Sequence, residues 1–203
     1  MIAATELALV NALKQAGEDG QLGYTYRVHE TFPDQFEEYL NENPNLRTPA
    51  CWATFLGLLD GRDDGDGLGF QARSRFVVVV ASSNKRNEED TRHGDGAVPG
   101  SYQLAIDAIR VLSRSMLAPE LSLIEPVRVR SARPVARTDQ MKRQRVAMVA
   151  IECELVMPLG SFQEEAGDFE RLHLDWDVPP HGNVQAPLPA LTADARDDIE
   201  MPA

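Results

Sequence analysis

The chain has 203 residues, with 32 Asp and Glu against 20 Lys and Arg, a formal net charge of −12. A hydrophobic share of 43% with 26% charged residues fits a folded chain with one substantial core, and excludes disorder throughout. No window reaches the ~18–20 apolar residues that cross a bilayer, so no membrane partner is expected. So acidic a chain is also a poor general binder of nucleic acid, whose phosphates demand clustered Lys and Arg.

Met1–Ala16 carries Glu6 and lacks a basic start, so no secretory leader is expected and the setting is cytoplasmic. Residues 2–17 read as a helix: Ile2, Leu7, Val10 and Leu13 recur at helical spacing and Gly17 closes the run. Tyr24–His29 alternates as a strand. Pro33 opens a short helix with Phe36, Tyr39 and Leu40 on one side, and the polar run 41–49 is a loop. Ala50–Leu59 and Phe70–Ala81 read as strands joined by the turn-rich Asp60–Gly69, a long hairpin. The unbroken run Phe76–Val80 predicts a central strand buried on both faces.

Ser82–Pro99 is the longest polar stretch, and is expected to be a mobile loop ordered by a partner. Ser101 caps a predicted helix to about Leu117, with Tyr102, Ala105, Ile106, Ile109 and Leu112 as its apolar face. Val127–Val135 and Arg145–Val156 alternate as two further strands around the polar turn 136–143. From Val127 to Arg145 there are seven basic residues and one acid; from Leu159 to Ala203 there are ten acids and two Arg. The predicted fold is α+β: a mostly antiparallel sheet of four to five strands with helices packed on one face. Residues 1–158 form the core domain, with the polar loop at 82–99. Residues 159–203 form an extended, acidic, Pro-rich C-terminal arm.

Motifs for chemistry are weak. Asp60 and Asp64 resemble the start of a calcium loop, but Arg62 and Gln71 fall where further ligands are needed. Gly94–Gly100 precedes a helix but lacks the dinucleotide fingerprint. His173, Asp175, Asp177 and His181 offer possible metal ligands without the thiolate or helical motif of a zinc site, and a solvated strand face is the better reading. Cys51 and Cys153 read as buried, reduced core thiols. No cofactor and no catalytic residue is expected. The basic segment, with Arg128, Arg130 and Arg133, lacks interleaved aromatic residues for stacking bases, so acidic protein neighbours suit it better.

The order of these stretches forms a recognisable pattern. Tyr24-Thr-Tyr-Arg-Val, Ala50-Cys-Trp-Ala-Thr-Phe, Phe76-Val-Val-Val-Val and Gly100-Ser-Tyr-Gln-Leu-Ala-Ile precede a late His173-Leu-Asp-Trp-Asp-Val-Pro-Pro. Together they resemble a family of Mu-like phages and prophages from the head–tail joining and tail genes, regarded as tail terminators. The resemblance covers nearly the whole chain. It implies a small α/β sheet with flanking helices, and a ring of six copies on the head-proximal end of the tail tube. Such a ring stops tube growth and joins the tube to the head connector, while DNA passes through its channel without specific binding. The implied location is the virion tail near the head junction, after assembly in the host cytoplasm. Another head–tail completion, adaptor or tube protein is the alternative; a small metal-dependent enzyme using the His/Asp arm is a more distant one. Candidate interface residues are Lys85, Arg86, Glu88, Glu89, Asp90 and Arg92 of the polar loop, Arg128, Arg130 and Arg133 of the basic hairpin, and Leu172, Leu174 and Trp176 of the arm.

Overall fold

Long runs of β-branched and alternating residues build the centre of the fold. A computed structural model describes residues 1–63, 70–84, 88–160, 171–176 and 195–200. The chain divides into two units, Met1–Ser161 and Phe162–Ala203.

In the first unit, helix α1 (Ile2–Glu18) leads to strand β1 (Val28–Thr31), helix α2 (Phe36–Glu42) and strands β2 (Ala50–Asp63) and β3 (Phe70–Ser83). Helices α3 (Glu88–His93) and α4 (Ser101–Leu112), strand β4 (Glu125–Pro134), helix α5 (Asp139–Arg143) and strand β5 (Val146–Gly160) follow. The sheet order is β1-β2-β3-β5-β4, with β1 parallel to β2 and all other pairs antiparallel. The fold is therefore α+β with a five-stranded mixed sheet, and both predicted hairpins form. The β3 strand sits in the middle, as the Phe76–Val80 run predicts: Phe76, Val78 and Val80 face one cluster and Val79 the other.

The two long helices cover one face. Leu9, Val10 and Leu13 of α1 and Leu104, Ala108 and Leu112 of α4 are fully buried against Cys51, Phe76, Val78, Ile151 and Cys153. The opposite face is covered at one end by the two short helices. There Phe32, Phe36 and Tyr39 meet the Trp52 ring edge-on at 6.3, 5.6 and 6.0 Å between centroids, and Met141 of α5 completes the cluster. The predicted helices on one face thus describe α1 and α4, with α2 and α5 added on the other side.

Several predicted boundaries and faces move, each for a local reason. Leu7 is exposed and Leu9 buried in α1, and the apolar face of α4 is turned so that Tyr102 and Ile106 are exposed while Leu104 and Ala108 are buried. The expected Tyr24–His29 strand is displaced to Val28–Thr31, which pairs with Ala50–Ala53 of β2. Tyr24 instead stacks edge-on with Tyr26, at 5.7 Å, and donates a 3.2 Å hydrogen bond to Asp107 on α4. Helix α4 stops at Leu112, short of Leu117. Arg114 takes a left-handed φ of 63° and its N–H bonds Val127 O, while Val127 N–H returns to Ser115 O, so the entry to β4 captures the chain. Ser101 is not the cap; Gly100 is, without a side-chain bond. The turn at 136–143 contains α5, where the Met141 N–H donates to the capping Thr138 hydroxyl at 3.3 Å.

The described residues of the polar stretch 82–99 carry secondary structure. Ser82 and Ser83 extend β3, residues 88–93 form α3, and Gly94 bridges Pro99. Its polar groups are tied locally: Ser82 Oγ donates to Pro99 O at 2.8 Å, and Asp95 Oδ1 accepts from the N–H groups of Ala97 and Val98 at 3.0 and 2.8 Å.

In the second unit, the stretch expected as an arm carries an antiparallel pair. Strand β6 (Arg171–Trp176) lies against β7 (Ala195–Glu200), with Leu172 opposite Ile199 and Trp176 opposite Ala195.

Candidate assembly interface

Beyond the Trp52 cluster, the second face of the sheet changes character. Alternation places Arg73 and Arg75 of β3, Glu152 and Glu154 of β5, and Arg128 and Arg130 of β4 on this face, where no helix covers them among the described residues. Arg75 Nε lies 2.9 Å from Glu152 Oε1, and Ser131 Oγ donates to the other oxygen of Glu152 at 3.3 Å. Arg130 donates from both Nε and Nη2 to Glu154 at 2.6 Å. Arg128 pairs with Glu125 at 2.7 Å and Arg73 with Asp60 at 3.8 Å. The two glutamates are largely covered by these neighbours, with side chains 18% and 11% exposed, whereas Arg75 and Arg130 remain about two-fifths exposed at 38% and 44%. Such a ladder crosses β3, β5 and β4 and presents cationic edges over a carboxylate floor.

The candidate residues are thus placed unequally. Arg128 and Arg130 belong to one surface, but each is already matched by a carboxylate, so the basic character read along the strand is largely neutralised in space. Arg133 is exposed on the same strand. Lys85 and Arg86 lie outside the described residues. Glu88, Glu89, Asp90 and Arg92 are on α3, which packs on α4; Glu89 and Arg92 are exposed, and Glu89 lies 3.6 Å from His93. Leu172, Leu174 and Trp176 lie in β6, and their side chains are outside the described part of the structure.

The weighed chemical motifs also find their places. Asp60 and Arg62 are in a paired strand, opposite Arg73 and Gln71, rather than in an open cation loop. His173 and Asp175 sit in β6, while Asp177 and His181 are outside the described residues. Cys51 and Cys153 are free and fully buried; burial raises both thiols, Cys153 to about 12. Among the described residues, no group of three His, Cys, Asp or Glu side chains is placed to hold a metal ion, and no helix is long and apolar enough to cross a membrane.

One feature of this surface is missed by strand patterning. Leu56, Leu58 and Leu59, read from the sequence as part of a core strand, are 53, 47 and 43% exposed at the far end of β2. Phe70, across the hairpin, is 41% exposed, and its ring lies so close to Gly61 that a Cβ there would overlap it. The signal available beforehand was the weak alternation of Phe55–Leu59.

A family model described as Bacteriophage Mu, Gp37 matches residues 1–162. The chain belongs to that family. The Gp37 match spans the whole five-stranded unit, including the charged ladder and the exposed end of β2, and makes the chain a phage-related structural protein. No curated protein matches the chain.

Proposed function

We propose that this Gp37-family chain is a tail terminator. Copies close into a ring, six by the family pattern, that seats on the head-proximal end of the tail tube, stops its polymerisation and joins it to the head connector. The observation that carries the reading is membership of the Gp37 family over the complete first unit. The sheet supports it by ending in unlike edges: the short parallel strand β1 on one side, the Arg-bearing β4 on the other. Unlike edges suit head-to-tail contacts, which close into a ring when the rotation allows. Function then needs only binding geometry, one face matching the tube and one face ending it. The channel carries DNA past a predominantly acidic wall, to which the acids of α3 and the hairpin tip are the proposed contributors; such repulsion acts over a Debye length of about 8 Å at physiological salt.

The test is co-assembly with purified tube protein. Negative-stain images should show rings at one end of tubes whose growth has stopped. Tubes that elongate without limit in the presence of a strictly monomeric chain would sink the proposal.

A further inference from the structure

Helix α4, on the first face of the sheet, ends in a loop that is tied down on several sides. The Arg114 N–H donates to Val127 O at 3.0 Å, and the Val127 N–H donates to Ser115 O at 2.8 Å. Ser115 Oγ accepts the Leu117 N–H at 3.0 Å, and Leu117 and Ala118 pack on the first-face cluster. Arg114 and Leu117 both take left-handed backbone, with φ of 63° and 53°. Neither residue type favours that conformation, and such outliers collect at functional segments. The loop presents Met116, which is 47% exposed. Arg114 is exposed as well, and its side chain has no partner among the described residues. Among the described exposed large apolar side chains after Met1, Met116 alone has an unpaired cation within two residues along the chain. Leu56 and Leu59, the extra residues of two bulges in β2, have none.

The opposite face holds a cleft that matches this loop. It measures about 480 Å³, lies between α2 and α5, and is floored by Phe36, Met141 and Met148. Asp34, Glu37 and Glu38 form its rim, and all three are exposed. Asp34 and Glu37 have no cationic partner among the described residues. An apolar floor under unpaired carboxylates suits an apolar side chain with a cation beside it.

We propose that Met116 of one copy inserts into this cleft of the next copy, with Arg114 facing Asp34 and Glu37. The proposal rests on the ring reading above and supplies its joint. The loop is tied to Val127 near the start of β4, whereas the cleft is lined by Val135 just past the end of that strand. At the rise of a strand the two are roughly 25 Å apart, so they do not meet within one copy. They also lie on opposite faces of the sheet. A two-fold dimer needs both sites in one self-complementary patch, which this placement disfavours. Each contact instead leaves one loop and one cleft free for further copies, the heterologous arrangement that closes rings. Met and Arg are both enriched at the centres of protein contacts.

The test is sedimentation of the full chain. Met116→Asp should keep the wild-type melting temperature, since the side chain is exposed, and weaken self-association by more than about tenfold, as loss of a hot-spot contact does. Arg114→Glu and Glu37→Arg should each weaken it too. Carried together in one chain they should restore most of it, because every joint then regains a pair of opposite charges. If the wild type forms rings but Met116→Asp associates normally, or the double variant fails to recover, these surfaces are not the joint and the ring reading survives. If the wild type stays monomeric both free and on tubes, both fall.

Discussion

The Glu6 carboxylate on α1 accepts the backbone N–H of Phe55 at 2.7 Å, just past the point where β1 ends and β2 continues alone. A side chain from the covering helix thus takes the place of the missing strand. The bond closes the inner end of the β2 edge and fixes where strand pairing within the copy stops. Glu6→Ala leaves that N–H without its charged acceptor and should cost about 1–3 kcal/mol. Glu6→Gln, which keeps an acceptor oxygen, should cost less. Urea unfolding of the two variants checks the order; equal costs would mean that the charge and the bond play no part.

Trp52 is the floor of the second hydrophobic cluster and is fully buried, with three aromatic rings edge-on to it. Trp52→Ala should lower stability by about 3–5 kcal/mol. Because α2 and α5 dock on this ring and the long helices do not, hydrogen exchange should speed up most in residues 36–42 and 139–143. Uniform acceleration across α1 and α4 would show that the two faces of the sheet are not separable.

Much of the fold was legible in the sequence because its strands carry strong signals. Phe76–Val80 announces a central strand, and the alternation of Val127 and Val129 with Arg128 and Arg130 gives β4 its faces. The helix faces were harder. In α4, Tyr102 and Ile106 attract the eye as core residues, yet the close approach of α4 to α1 and the sheet favours the small Ala105 and Ala108. The candidate interface was legible only in part. Arg128 and Arg130 stand out as charges along the chain, but their neutralisation depends on Glu125 and on Glu154, the latter far away in sequence and brought close only by the sheet register. The exposure of Leu56 and Leu59 showed only as the weak alternation of Phe55–Leu59, since a bulge breaks the period-two rule on which strand patterning rests.

The pairing of those arginines bears on DNA. Arg128 and Arg130 are each held at 2.6–2.7 Å from a carboxylate, so few counterions would be released on contact with phosphate. Filter binding should show weak retention of duplex DNA at physiological salt. Tight, salt-sensitive retention lost in Arg128→Ser with Arg130→Ser would point to a ring that grips the genome instead.

Gly100 sits where the turn after α3 passes beneath the start of α4. A Cβ there would overlap Arg92 O and Gly94 N, both backbone atoms that cannot swing aside. Gly100→Ala should therefore push α3 from α4 and destabilise by about 1–3 kcal/mol, the usual cost of overpacking. Thermal melting reads the effect, and an unchanged midpoint would show that the α3 turn is free to shift.

Both cysteines should resist thiol reagents until the chain unfolds. Burial raises the Cys153 thiol from 9.0 to about 12, so the folded state holds its proton where the unfolded state releases it. Stability should accordingly fall as pH rises above the unfolded value, with the loss levelling off only near the folded one. Titration with a chromogenic disulfide at pH 8 should detect no fast thiol in the native chain.

The paired bulges in β2 have a consequence for how this hairpin can change length. A bulge inserts a residue without a partner, so its neighbours keep theirs: Gly57 stays opposite Arg75, and Asp60 opposite Arg73. Deleting Leu56 or Leu59 alone would straighten the strand at that point and leave both pairs in place. Each bulge can thus be removed by itself without turning the later residues over.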